Sequence, residues 1–124
     1  MNIVAPIPTS NEVNFSIGTD TYPGTIVRRT ATTLTVRECN YKLLNGPESG
    51  EKDALRCEPG GFAAHMDGVQ RYEITENPDG ALRKFTLRKG KNGKPDFWCL
   101  VGASPVHGHG LLREGHRAHY DYNF

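Results

Sequence analysis

Arg71-Tyr-Glu-Ile-Thr-Glu-Asn-Pro-Asp-Gly-Ala-Leu-Arg-Lys-Phe-Thr-Leu-Arg88 is the stretch on which the fold class turns. Two runs of alternating apolar and polar residues flank Asn77-Pro-Asp-Gly80, where Pro and Gly stand at positions a type I turn favours. Folded about that turn, Ile74 falls opposite Phe85 and Tyr72 opposite Leu87. All four then share one face, with Arg71, Glu73, Lys84, Thr86 and Arg88 on the other, the alternation of an antiparallel sheet covered on one side. The sequence predicts a β-hairpin here.

Working outward, Thr25-Ile-Val-Arg-Arg-Thr-Ala-Thr-Thr-Leu-Thr-Val-Arg-Glu38 is rich in β-branched residues. It predicts a second hairpin, turning near Thr30-Ala31 with Val27 opposite Leu34 and Thr25 opposite Val36. Lys89-Gly-Lys-Asn-Gly-Lys-Pro95 reads as a basic turn leading into a strand over Asp96–Val101, so the sheet continues as a meander. The segments 45–53 and 57–68 are Gly- and Pro-rich without a clear period, and form a long excursion of the kind that carries function in a small domain. At the C-terminus, Arg113-Glu-Gly-His-Arg-Ala-His-Tyr-Asp-Tyr-Asn-Phe124 is too aromatic for a free tail. At strand period it puts Ala118, Tyr120, Tyr122 and Phe124 on one face and Arg113, Arg117, His119 and Asp121 on the other. No window sustains a helical period beyond about three turns. The expected architecture is a single mainly β domain over residues 1–124: an antiparallel meander forming a small barrel or sandwich, with long loops and at most short helices. Residues 1–12 are expected to be a flexible N-terminal segment.

With 124 residues the chain supports one core. Lys+Arg number 15 and Asp+Glu 14, a balance that lacks the cationic surplus needed to coat nucleic acid in bulk. There is no signal-like segment and no apolar run of membrane-spanning length, so a soluble, unexported protein with no membrane partner is expected. Cys39, Cys57 and Cys99 are odd in number and lack a Cys-x-x-Cys spacing, which fits free thiols in a reducing compartment.

Catalytic signatures are missing: no Gly-x-Ser-x-Gly elbow, no spacing that selects a carboxylate pair, no phosphate-cradling Gly-rich loop ahead of a helix. The histidines His65, His107, His109, His116 and His119 invite a metal, but His116 and His119 fall on opposite sides of a strand and glycines flank His107 and His109. No catalytic residue, metal ligand set or cofactor is expected. Arg113 and Arg117 remain as two guanidinium forks suited to a phosphate, with Phe62, Phe85 or Trp98 as stacking surfaces for a base, although Phe85 faces the core by its own alternation.

Several blocks carry a resemblance: Tyr22-Pro-Gly-Thr-Ile-Val27, Glu58-Pro-Gly-Gly-Phe-x-x-His65, Gln70-Arg-Tyr-Glu73, Asn77-Pro-Asp-Gly80, Phe85-Thr-Leu-Arg-Lys89, Gly115-His-Arg117 and Tyr120-Asp-Tyr-Asn-Phe124. In this order they resemble the first type of Thoeris anti-defence protein, a family of small phage proteins, from about Gly18 to Phe124. The resemblance implies a protein in the cytoplasm of an infected bacterial host that binds a cyclic ADP-ribose isomer made by TIR-domain enzymes and sequesters it without degrading it. It further implies homo-oligomers, dimers that assemble into hexamers, and in some members a separate site for cyclic oligonucleotides lined by C-terminal arginines. Arg113 and Arg117 carry over to that second site, and Phe62, His65 and Phe85 to the cyclic ADP-ribose pocket. The chain departs from the family pattern in the turn over Lys89–Asp96 and in Val106-His-Gly-His-Gly110. The competing expectation is a β-barrel interaction module that inhibits a host defence protein directly.

Overall fold

The computed structural model describes residues 10–57, 66–104 and 109–120. Ten strands occur among them: β1 (Glu12–Ile17), β2 (Asp20–Arg29), β3 (Thr33–Glu38), β4 (Asn40–Leu43), β5 (Arg56–Cys57), β6 (Met66–Asp67), β7 (Tyr72–Thr75), β8 (Leu82–Arg88), β9 (Phe97–Leu100) and β10 (Leu112–Glu114). Six form one antiparallel sheet in the order β10-β1-β2-β3-β8-β9, and its two edges meet at a bridge between Cys99 and Leu111. The sheet is thus a nearly closed barrel, with no helix among the described residues. β4–β7 and β5–β6 are separate two-stranded pairs.

The barrel interior is filled by Val13, Phe15, Ile26, Leu34, Val36, Phe85 and Trp98. Phe15 and Phe85, both fully buried, meet edge to face with centroids 5.3 Å apart. Burying a side chain of this size contributes roughly 1.5–3 kcal/mol, so these few residues supply much of what holds six short strands together. The second predicted hairpin is present as β2–β3, but its register differs by one up to Ile26 and by two from Arg28 to the turn. Ile26 pairs with Val36 and Arg28 with Thr35, and the irregularity falls at Val27, which is left 44% exposed. A β-bulge of this kind lets one strand bend around the barrel while Ile26 still points inward. The strand expected over 96–101 is β9, and it pairs with β8 across the basic turn as a meander does. β1 already begins at Glu12, and Asn11 accepts a backbone hydrogen bond from Ile26 at 2.8 Å, so order reaches into the segment expected to be flexible.

The hairpin expected over Arg71–Arg88 does not form. β7 pairs with β4 and β8 pairs with β3, so residues 72–88 run on beside residues 33–43 as one long antiparallel ribbon. Within it, residues 76–81 stand opposite only Glu38 and Cys39. The turn chemistry is nonetheless present: the Gly80 amide donates to the Asn77 carbonyl at 3.0 Å and the Asp79 amide to Asn77 Oδ1 at 3.1 Å. Asn77–Gly80 forms a protruding loop in the ribbon and not a hairpin tip. The strand alternation holds, with Phe85 buried and Glu73 and Thr75 exposed, but Phe85 faces Leu34 and Leu100, and Tyr72 faces Leu43. Alternation specifies the buried face of a strand and leaves its partner open, and here β3 supplies a better apolar surface than β7.

Candidate functional site

The excursion between β4 and β7 builds a cleft of about 600 Å³ lined by Lys52, Asp53, Ala54, Arg56, Gly68, Val69, Gln70 and Arg71. Its frame is organised by Asn45, whose side chain is completely buried. Asn45 Nδ2 donates to the carbonyls of Asp53 (2.8 Å) and Val69 (2.7 Å), and Oδ1 accepts from the Arg71 amide (2.9 Å). One amide side chain therefore fixes both walls of the cleft, with its hydrogen-bonding capacity largely used. Arg71 forms a two-pronged pair with Asp53 at 3.0 and 3.1 Å, and Glu51 lies 3.6 Å away. That hydrogen bond holds the Asp53 carboxyl below its usual range. With Arg71 already engaged by Asp53 and Glu51, Lys52 and Arg56 are the cations the wall adds beyond that pair, a composition compatible with an anion, and the volume lies within the range of small-molecule sites.

The rim is tied to the C-terminal segment. Gln70 accepts from the Tyr72 hydroxyl (2.6 Å) and the Tyr120 amide (2.9 Å), and its amide nitrogen donates to the Tyr120 carbonyl. That segment is docked as expected, through β10 against β1 and a bridge between His119 and Thr21, but it is not one strand. Gly115, at φ 91°, breaks the strand directly after β10, and Asn14 clamps the break by donating to the carbonyls of Glu114 (3.3 Å) and Gly115 (2.9 Å). The period-two argument that put Arg113 and Arg117 on one face does not run across this break. Both are exposed, and neither lines the cleft. Phe85 and Trp98 belong to the barrel core, at 0% and 4% exposure, and offer no ring face to a ligand. Phe62 and His65 lie outside the described residues, in the connection between β5 and β6; Arg56 of β5 lines the cleft.

A second constellation gathers where the long ribbon is interrupted. Cys39, Glu76 and His116 bring one ligand-type atom each to within 4.8 Å of one another. Cys39 Sγ stands 3.8 Å from His116 Nε2 and 3.4 Å from Thr25 Oγ1, and Thr25 donates to Glu76 Oε1 at 2.6 Å. Arg37 pairs with Glu76 Oε2 at 3.5 Å. Burial pushes the Cys39 thiol up, opposed in part by the Thr25 hydrogen bond. Without a further cation it is no activated nucleophile. His116, and neither His109 nor His119, is the histidine brought to this cluster. Spacing could not single it out, because the partners lie far apart in the chain. Compared with protein-family models, curated proteins and solved structures, the chain matches none of them.

Proposed function

We propose that this protein captures a small phosphate-bearing nucleotide signal and holds it without turnover. The observation that supports the reading best is the cleft of about 600 Å³ with Lys52, Arg56 and Arg71 along its wall. Guanidinium groups pair with phosphate oxygens, Gln70 has one amide N–H left to offer beyond its bonds to Tyr72 and Tyr120, and a cyclic dinucleotide-like ligand fits a space of this order. The resemblance narrows the ligand to a cyclic ADP-ribose isomer made by TIR-domain enzymes. On this reading the protein serves a phage in the cytoplasm of its bacterial host, as a homo-oligomer, with Arg113 and Arg117 available to a second, cyclic oligonucleotide ligand. Among the described residues no constellation at the cleft pairs a nucleophile with a base, which favours sequestration over hydrolysis.

The test is to mix the purified protein with the product of such an enzyme, remove unbound nucleotide, denature by heat and identify what is released by mass spectrometry. Intact cyclic ADP-ribose is expected, with Arg56→Ala lowering the retained amount by about tenfold. A degraded product would make the protein an enzyme. Nothing retained would discard this ligand and favour direct inhibition of a host protein. Light scattering checks the assembly: a monomeric mass at micromolar concentration removes the oligomer from the reading.

A further inference from the structure

We propose that Cys39, Glu76 and His116 form a binding site for a thiophilic divalent cation, zinc being the best match, with one coordination position open. The inference does not rest on the nucleotide reading. The donor set is one sulfur, one imidazole nitrogen and one carboxylate oxygen, all within 4.8 Å of one another. Zinc prefers these donors at about 2.3 Å for sulfur and about 2.0–2.1 Å for nitrogen, and a tetrahedral angle then puts sulfur and nitrogen about 3.6 Å apart. Cys39 Sγ and His116 Nε2 are already 3.8 Å apart. Glu76, which is exposed, has to turn one carboxylate oxygen toward that pair to close the set.

The surroundings suit a ligated carboxylate. Glu76 Oε1 accepts from Thr25 and Oε2 faces Arg37, so one oxygen can turn to the metal while the other keeps Arg37. Outer partners of this type orient metal ligands. On ligation the thiol gives its proton to water, so a thiolate and a carboxylate balance the two positive charges of the ion and His116 binds as neutral imidazole. Arg37 and Glu12 are the other charged groups near Cys39 and oppose one another in sign. Each ligand comes from a different segment: Cys39 from the interruption between β3 and β4, Glu76 from the loop beyond β7, His116 from the segment after β10. A bound ion would pin the C-terminal segment to the ribbon.

Cobalt(II) is the spectroscopic probe and zinc the physiological candidate, tested on the reduced full chain. One equivalent of cobalt should bind with a thiolate-to-metal charge-transfer band and four-coordinate visible bands, and one equivalent of zinc should displace it. Cys39→Ser and His116→Ala should abolish the band and weaken binding by about tenfold or more. Cys57→Ser and Cys99→Ser should leave it unchanged. Zinc should also shield Cys39 from alkylation, read by peptide mass spectrometry on the unsubstituted protein, which covers the case of a variant that fails to fold. Glu76→Gln, at an exposed position, should weaken binding without unfolding. Absence of the band, its survival in Cys39→Ser or His116→Ala, or alkylation of Cys39 at the same rate with and without zinc would each overturn the site.

Discussion

Asn45 illustrates what a single residue does here and why its role was hidden. In the sequence it stands before Gly46-Pro47, and Asn-Gly-Pro reads as loop chemistry. In the fold it is completely buried and binds three backbone groups belonging to Asp53, Val69 and Arg71. Removing it leaves two carbonyls and an amide without a partner, a loss of about 2–4 kcal/mol. Asn45→Ala should therefore lower the unfolding free energy read from urea titration by that amount and loosen both walls of the cleft, so the nucleotide retention proposed above should fall in parallel. A change under about 0.5 kcal/mol, the range of ordinary surface substitutions, would show that the loop holds itself without this hub. Arg113 and Arg117 show the opposite limit. They were legible as exposed cations, but their shared face depended on an unbroken strand, and Gly115 supplies the break.

Among the elements, strand identity was largely readable and strand partnership was not. β8 and β9 lie where the alternation put them, and β2–β3 is a hairpin whose register is shifted by its turn over Thr30–Thr33 and by the bulge at Val27. The Asn77–Gly80 turn is a local preference worth little beside the pairing of Leu34 with Phe85 in the core, so β7 and β8 part to serve different sheets. What joins the β4–β7 pair to the barrel is a file of rings. Phe15 meets Tyr22 at 5.9 Å, Tyr22 meets Tyr41 at 6.1 Å, and Tyr41 meets Tyr72 at 5.8 Å, the last two near edge-on. Burial, with Asp20 beside it, pushes the Tyr22 hydroxyl up from its ordinary value. A group raised on folding stabilises the fold fully below its unfolded value, about pH 10, and loses that contribution as pH rises through the folded value. The urea midpoint of the protein should accordingly fall more steeply above about pH 10 than that of Tyr22→Phe, which has no such proton to lose. Parallel curves for the two proteins would mean that the Tyr22 hydroxyl is as well solvated folded as unfolded.

At the scale of the molecule the barrel closes on one thin seam. Four of its five sheet interfaces have between four and six paired positions, and β1–β10 has three, whereas among the described residues β9 and the approach to β10 share one bridge, Cys99–Leu111. Gly110 sits on that seam: its amide donates to Ser16 at the end of β1 (2.8 Å), and its carbonyl accepts from Leu100 at the end of β9 (2.9 Å). Two features require glycine there. Its φ of 73° lies in the left-handed region, and an added Cβ would stand 2.7 Å from Ala103 Cβ and 3.2 Å from Leu100 Cβ. In the sequence the residue is one of two glycines in a His-Gly-His-Gly run, and nothing local marks it as a closure point. Gly110→Ala combines backbone strain with a collision, so a loss of about 2–4 kcal/mol is expected. The strain acts on one side of the ring of strands, and the strands β1–β2–β3 have full ladders of their own, so the damage should be regional. Hydrogen exchange should show the Leu100 and Gly110-site amides opening much faster in Gly110→Ala, while the Val36 and Ile26 amides slow to exchange in the parent remain so under native conditions. If instead every protected amide accelerates by one common factor, the barrel opens only as a whole and its seam is no weaker than its ladders.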